Sequence, residues 1–353
     1  MTMAKLAVAM SGGVDSSVAA YLLQEQGHGL LGLTLRLHPW SDPTDEKDAA
    51  AVAARLGFDH RVLDEGEAFC RCVMDPFAAA YEMGRTPNPC IACNRHVKFG
   101  ILLERACALG CDGVATGHYI RKSYDAAAGR WLLHTALHPE KDQSYVLYCL
   151  TQAQLAGSEF PLGGLSKEEI RAIALEQGLV SARRKDSQDI CFIPDGDHAA
   201  FIRRHTGRNY PAGDFIDPEG RVLGRHEGIV RYTVGQRRGL GVSSANGRLY
   251  VTRVDPADNT VTLGENQALF SRTLEADGIN FIPLDRLDAP LRVQAKVRYR
   301  QPAQPAVVEQ IGPDRIRVTF DSPQRAVTAG QAVVLYDGDL VLGGGTIDRT
   351  VEE

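Results

Sequence analysis

The sequence predicts an α/β domain built on a doubly wound parallel sheet, followed by two small β-rich, barrel-like domains, and three observations carry that prediction. Through the first part of the chain, short apolar runs alternate with amphipathic helical stretches. A serine–glycine turn joins the first of these runs to the first helix. Beyond about Gly207, helical periodicity gives way to short alternating runs separated by turn sequences. The chain of 353 residues also exceeds the roughly 100–200 usual for one domain. The expected division is 1–200 for the α/β domain, 201–270 for a central β-rich domain and 271–353 for a C-terminal barrel, the last boundary near Ser271.

Composition bounds the function. Hydrophobic content of 44% and charged content of 24% are those of an ordinary globular protein. A net charge of −5 does not mark the whole chain as a nucleic-acid binder, but it leaves room for a local basic face. No apolar run approaches the roughly 20 residues needed to cross a bilayer. The opening run 6–10 is shorter than the apolar region of a signal peptide. A cytoplasmic protein without a membrane partner is expected, and its eight cysteines then read as buried thiols, reactive thiols or metal ligands rather than disulfides.

Each element has a local signal. Strands are expected at 6–10, 29–35, 59–63 and 113–116, and helices at 18–26, 45–56, 67–82 and 96–108. Lys141-Asp142-Gln143-Ser144 reads as the opening of a helical segment, and Ser166-Lys167-Glu168-Glu169 as a capping box before a helix at 170–177. Ligands of such sheets sit at the carboxyl ends of the strands. The loop after the first strand and Gly117-His118-Tyr119 after the fourth should therefore face one crevice.

The first of those loops is Ser11-Gly12-Gly13-Val14-Asp15-Ser16-Ser17. Adjacent glycines admit backbone conformations closed to other residues, so successive N–H groups can converge on one anion. The following helix adds its positive end. Ser11, Ser16 and Ser17 offer hydroxyl donors, and Asp15 offers a carboxylate for a magnesium ion carried by a nucleotide. The Gly-Lys-Ser/Thr ending of a Walker A loop and the G-x-G-x-x-G of dinucleotide folds are both missing, which sets aside kinase, GTPase and hydride-transfer chemistry.

In Arg85-Thr86-Pro87-Asn88-Pro89-Cys90-Ile91-Ala92-Cys93-Asn94, two prolines exclude helix and imply a rigid extended loop. Cys93 precedes the helix at 96–108, whose N-terminus should favour its thiolate. Cys191 follows the polar stretch Arg183-Arg184-Lys185-Asp186-Ser187-Gln188-Asp189, surroundings suited to a thiolate. Taken alone, the C-x-x-C fits half a zinc site, a redox pair or incidental thiols, and no second C-x-x-C completes a zinc site. Cys70, Cys72, Cys107, Cys111 and Cys149 fall in helical patterns and read as packing residues.

In the β-rich part, 291–300 alternates apolar and polar residues. This pattern should place Arg292, Lys296, Arg298 and Arg300 along one face, spaced to meet the phosphates of an anionic polymer.

The glycine loop resembles the Ser-Gly-Gly-x-Asp-Ser signature of the PP-loop ATP pyrophosphatases, which cleave ATP between its α and β phosphates and adenylate an oxygen of the substrate. With Gly-Arg-Thr-Pro-Asn-Pro at 84–89, Cys93-Asn94, Ala-Thr-Gly-His-Tyr at 115–119 and Lys-Asp-Gln-Ser-Tyr at 141–145, the resemblance narrows. Lys-Asp-Ser-x-x-Ile-Cys-Phe-Ile at 185–193, Val-Gly-Gln-Arg-Arg-Gly-Leu at 234–240 and Tyr-Arg-Gln at 299–301 continue it in order. Over essentially its whole length, the chain resembles the tRNA-specific 2-thiouridylase family.

That resemblance implies a first domain of the adenine nucleotide α-hydrolase type and ATP-dependent 2-thiolation of the tRNA wobble uridine, with release of AMP and pyrophosphate. It implies an ATP site, used with Mg2+, of Ala9, Met10, Ser11, Gly12, Gly13, Val14, Asp15, Ser16, Leu35 and Gly117. Asn88, Pro89 and Cys90 would lie against the flipped base. Contacts to tRNA would come from His118, Lys141, Asp142, Gln143, Arg298, Tyr299, Arg300, Gln301 and Gln331. Cys191 would carry the sulfur as a persulfide received from a donor protein, with Cys93 as its partner thiol. Cys90 stands where many family members have aspartate, so a second route stays open: Cys90, Cys93 and Cys191 as ligands of a 4Fe–4S cluster with one iron open to sulfide. Two other classes remain alongside. A PP-loop amide-forming ligase of the GMP-synthetase or argininosuccinate-synthetase kind needs neither Cys93 nor Cys191, and a non-enzymatic RNA-binding protein leaves the nucleotide loop unexplained.

Overall fold

The computed structural model describes residues 3–183, 190–242 and 247–351. Strands β1 (Lys5–Ala9), β2 (Gly29–Arg36), β3 (Asp59–Asp64) and β4 (Gly113–Ala115) lie within a residue of the expected positions. An antiparallel hairpin of β5 (Ile120–Asp125) and β6 (Arg130–Thr135) follows, and β7 (Ser158–Glu159) returns to complete a parallel sheet of order β3-β2-β1-β4-β7. Leu6, Ala7 and Val8 of β1 are all buried because helices cover both faces. Leu6 and Val8 pack with Val18, Leu23 and Ile170, while Ala7 packs with Phe99, Leu102 and Ala106. The sheet is built outward in both directions from β1, so the crevice opens between the carboxyl ends of β1 and β4.

The helices depart from expectation at their ends. Helix α1 (Val14–Glu25) starts inside the glycine loop, with Gly13 as its N-cap. Helix α2 (Pro43–Leu56) is capped by Asp42, whose side chain accepts the Thr44 N–H at 2.8 Å. The helix over 89–108 begins at Pro89 rather than at His96: Pro87 stays extended, but Pro89 takes the first helical position, where a missing N–H costs nothing. Asn88 caps it by accepting the Cys90 N–H at 3.1 Å. This helix and the one over 66–82 contain π-helical stretches, Cys93–Ile101 and Cys70–Met74.

The helical segment expected from Lys141 is confined to short 3₁₀ turns, Pro139–Lys141 and Ser144–Val146. The Asp142 carboxylate accepts from the backbone N–H groups of Ala136 and Ser144 and so competes with helix. The Ser166 capping box is present in full, opening the helix Lys167–Glu176.

Strands β8 (Gly213–Ile216), β9 (Val222–His226), β10 (Tyr250–Asp255) and β11 (Thr260–Gly264) make a second sheet of order β10-β11-β8-β9. Its Phe215, Val251 and Val261 share one apolar cluster with Phe69, Phe77 and Phe192 of the first part of the chain.

The remaining strands are β12 (Phe270–Phe281), β13 (Leu291–Lys296), β14 (Gln304–Gly312), β15 (Arg315–Arg325), β16 (Ala332–Asp337) and β17 (Leu340–Val351). Because β12 pairs with both β15 and β17, these six close into an antiparallel barrel around Leu274, Val293, Val308, Val318 and Leu335. The β5–β6 hairpin attaches to its edge through Leu340 and His134.

The basic ladder expected over 291–300 does not form. The strand ends at Lys296, Arg292 is exposed and paired with Asp321, and Arg298 turns inward to the carbonyls of Val234 and Ala326. Within the described residues, no helix is long and apolar enough to cross a membrane.

Candidate active site

A cleft of about 1910 Å³ runs from the carboxyl edge of the parallel sheet to the barrel. It exceeds the roughly 300–1,000 Å³ of ordinary small-molecule pockets. There is room for a nucleotide and a segment of polymer together. All the site residues that the resemblance implies line it except Gly12, whose φ of 70° forms the turn of the glycine loop.

At one end, the loop turns sharply between β1 and α1. Ser16 Oγ donates to the Gly13 carbonyl at 3.1 Å and accepts the Ser11 N–H at 3.2 Å, and Ser17 Oγ donates to the same carbonyl at 2.9 Å. Gly13 provides no side-chain cap, so the first-turn N–H groups of α1 keep their capacity for an anion. Gly117 presses on this loop: a Cβ there would lie 2.7 Å from the Asp15 carbonyl carbon and 2.8 Å from the Ser16 nitrogen.

Two residues whose link to the glycine loop the sequence did not reveal hold Asp15. The Tyr119 hydroxyl donates to Asp15 Oδ1 at 2.6 Å, and Lys167 Nζ does so at 2.7 Å. Lys167 is buried, and its place directly after the Ser166 cap aims it inward. The capping box was legible, but the target of its lysine is 152 residues away. Trp40, half-exposed and stacked on His38 with ring centroids 5.1 Å apart, also lines the cleft beyond β2.

The thiols Cys90, Cys93 and Cys191 share the floor. Cys93 is buried, and burial pushes its thiol up to about 12, against the opposing charge of Lys98. This overturns the expected thiolate. The helix N-terminus lies at Cys90, one turn before Cys93, and desolvation outweighs any dipole that reaches the sulfur. Cys90 and Cys191 reach solvent through the cleft mouth, yet the surrounding walls displace enough water to raise both. Residues 184–189, whose charges were expected to favour a Cys191 thiolate, lie outside the described residues. Among those residues, Cys70, Asp75 and His205 form a tight trio of metal-type donors, within 4.8 Å of one another, whereas the three cleft thiols are not gathered that closely.

The segments expected to meet RNA surround the floor. His118 is buried, its Nδ1 2.7 Å from Thr116 Oγ1, and burial keeps its ring well below the usual imidazole range. Gln143 Oε1 accepts the Tyr119 N–H at 2.9 Å, and the Tyr299 hydroxyl donates to the Asp142 carbonyl at 3.3 Å. Lys296 lies over the rings of Tyr145 and Tyr299. Gln331 Nε2 donates to the Thr86 carbonyl at 2.9 Å, and the Thr86 N–H donates to the Ala329 carbonyl at 2.9 Å, tying the barrel to the cysteine loop.

Comparison with known proteins places the chain. Residues 4–195 match a family profile described as tRNA methyl transferase HUP domain, 199–265 a tRNA methyl transferase PRC-barrel domain and 271–347 an aminomethyltransferase beta-barrel domain. The tRNA-specific 2-thiouridylase MnmA of Clostridioides difficile is 44% identical over 98% of this chain and 99% of its own. MnmA 1 of Caldanaerobacter subterraneus subsp. tengcongensis is 46% identical, covering 98% of each chain. MnmA of Acetivibrio thermocellus is 45% identical over 98% of this chain and all of its own. With a nucleotide-type loop and paired thiols on one cleft and end-to-end similarity to these relatives, the chain belongs to the tRNA-specific 2-thiouridylase MnmA family of sulfurtransferases.

Proposed function

We propose that this protein uses ATP to replace the C2 oxygen of the wobble uridine of tRNA by sulfur. The uracil C2 carbonyl is a weak electrophile whose oxygen leaves badly, and transfer of AMP to that oxygen makes it a good leaving group. The C2 oxygen attacks the α-phosphorus of ATP, the α–β bond breaks and pyrophosphate departs. The uncapped first turn of α1 and the Ser11 and Ser16 hydroxyls are suited to the phosphate chain. Tyr119 and Lys167 both bond Asp15 through Oδ1, so Oδ2 is the oxygen left to the Mg2+ that accompanies ATP.

In the second half, a persulfide on Cys191, charged by a sulfur-donor protein, bonds through its terminal sulfur to C2, and AMP leaves with the C2–O electron pair. The Cys93 thiolate then attacks Cys191 Sγ. The S–S bond to the nucleoside breaks with both electrons going to the sulfur on C2, giving 2-thiouridine and a Cys93–Cys191 disulfide. An external dithiol reduces that disulfide before the next turnover.

The observation that carries this reading is the single cleft, which is lined by the glycine loop, by Cys93 and Cys191, and by 141–143 and 298–301.

Cys90 supports a second way of holding the sulfur. Three soft ligands on one floor, set too wide for a single ion, suit a 4Fe–4S cluster held by Cys90, Cys93 and Cys191. Bound there, the cluster would supply an open iron for sulfide and draw off the protons that burial otherwise keeps on the thiols.

Unmodified tRNA, Mg-ATP and a persulfide or sulfide source form the test, read by mass spectrometry of the digested nucleosides. The expected product is 2-thiouridine at the wobble position, lost in Cys93→Ser and Cys191→Ser. Pyrophosphate release without any thionucleoside from the wild type would overturn the proposal. Loss of activity together with bound iron in Cys90→Ser selects the cluster, and full activity of an iron-free Cys90→Ser selects the persulfide.

A further inference from the structure

Away from the cleft, Cys70, Asp75 and His205 turn a sulfur, an oxygen and a nitrogen toward one place, and none of the three lines the cleft. Cys70 Sγ lies 3.5 Å from Asp75 Oδ1, and His205 Nε2 lies 2.7 Å from the same oxygen. All three donor atoms fall within 4.8 Å of one another. Zinc ligand distances of about 2.3 Å to sulfur and about 2.0 Å to nitrogen or oxygen give a tetrahedron with edges of about 3.3–3.5 Å. The sulfur–oxygen edge already has that length, and the nitrogen–oxygen edge needs to open by only about 0.6 Å.

The backbone explains how two residues five apart come to meet. In an α-helix they would lie about 140° apart around the axis. Over Cys70–Met74 the helix is π-wound, and the Asp75 N–H bonds the Cys70 carbonyl five residues back. Pro76 gives this winding a cause, because it has no N–H to offer the Cys72 carbonyl four residues earlier.

The third donor comes from another element, the helix His198–Thr206. The His205 ring stacks on Phe201 with centroids 5.3 Å and planes 13° apart, and its side chain is only 14% exposed. Its direction is thus set before any ion arrives. Asp75 is exposed, which leaves a way in from solvent.

We propose that Cys70, Asp75 and His205 form a Zn2+ site, with water completing the four-coordination. A thiolate and a carboxylate together balance the two charges of the ion, and sulfur and imidazole ligands favour zinc over magnesium or calcium. On binding, the Cys70 thiol proton passes to solvent, and His205 keeps its one ring proton on Nδ1, leaving Nε2 bare for the metal. The ion ties the helix over 66–82 to the helix His198–Thr206. These two helices also hold the Phe192 ring, through Phe77 and Phe201 with centroids 5.4 and 4.9 Å away. The site is independent of the reaction in the cleft.

The test uses the full reduced chain, equilibrated with Zn2+, desalted, and read for metal per chain by plasma mass spectrometry. Wild type should retain about one equivalent more than Cys70→Ser, Asp75→Asn or His205→Gln. Metal held by the cleft thiols is common to all four proteins and cancels in the difference. Competition with a chromophoric chelator should show the Kd of that equivalent raised about tenfold or more in His205→Gln. A second measurement needs no variant: in wild type, Zn2+ should slow alkylation of Cys70 by iodoacetamide about tenfold or more, while Cys107, exposed and outside the trio, reacts as before. Equal metal content in wild type and Cys70→Ser, or alkylation of Cys70 indifferent to Zn2+, would overturn the assignment. So would an equivalent that depends on Cys70 but survives both Asp75→Asn and His205→Gln, which would reduce the site to a lone thiol.

Discussion

A few atoms at the cleft floor decide the chemistry. Cys93 sits one turn inside its helix and out of water, so its thiol is held at about 12 and is protonated at neutral pH. In the proposed persulfide route, release of 2-thiouridine from Cys191 requires the thiolate. The single-turnover rate from persulfide-charged enzyme should therefore climb with pH from 7 to 9, measured by quenched flow; a flat profile would mean that Cys93 is not the resolving thiol. At the other end, Lys167→Met removes a charged hydrogen bond to Asp15, an interaction worth about 1.5–3 kcal/mol. KM for ATP is expected to rise by about tenfold or more, and an unchanged value would detach Asp15 from nucleotide binding. Gly117→Ala drives a Cβ into the Asp15 and Ser16 backbone, so calorimetry should find ATP binding weakened while the fold persists.

At the scale of elements, strands β1 to β4 were legible because both faces of the parallel sheet are covered, and each strand reads as a short apolar run. The β5–β6 hairpin escaped notice because the edge it joins, β17, lies some 200 residues later. The alternation over 291–300 correctly put Val293, Ala295 and Val297 inside, but no local pattern reveals that Arg298 is consumed by the carbonyls of Val234 and Ala326, 64 and 28 residues away. The capping box of Ser166 with Glu169 was plain from sequence, and the adjacent Lys167 ties it to the nucleotide end. Ser166→Ala should cost about 1 kcal/mol, seen as a lower thermal midpoint, and should also raise KM for ATP because the first turn carries Lys167. Loss of stability alone would separate the cap from the site.

For the whole molecule, closure of the barrel depends on β12, which has two neighbours. Its Glu275 is buried between its register partners Arg317 on β15 and Arg349 on β17, at 2.9 Å from each, with Arg315 at 3.0 Å. The Arg317 hydrogen bond, chief among these, holds its carboxyl below the usual 4.5. A depressed carboxyl adds stability above its unfolded value and loses it as pH falls through the folded one. Glu275→Gln should cost about 1–2 kcal/mol near neutrality, the exposed arginines limiting the figure. The gap in thermal midpoint between the two proteins should close as pH drops below 4.5; a constant gap would show that charge is not the cause.

The barrel's link to the cysteine loop has a wider meaning. Gln331 and Ala329 hold Thr86 from both sides of its peptide, and Arg85 pairs with Asp348 at 2.6 Å. Gly330, at φ 91°, approaches so near that a Cβ would stand 3.0 Å from the Thr86 nitrogen. A barrel synthesised well after the α/β domain therefore supplies the clamp for a loop of that domain. Until the barrel has been synthesised and closed, the nucleotide half has no fixed seat for its sulfur chemistry, and a truncated chain that still gripped ATP would have lost the anchor for Cys90 and Cys93.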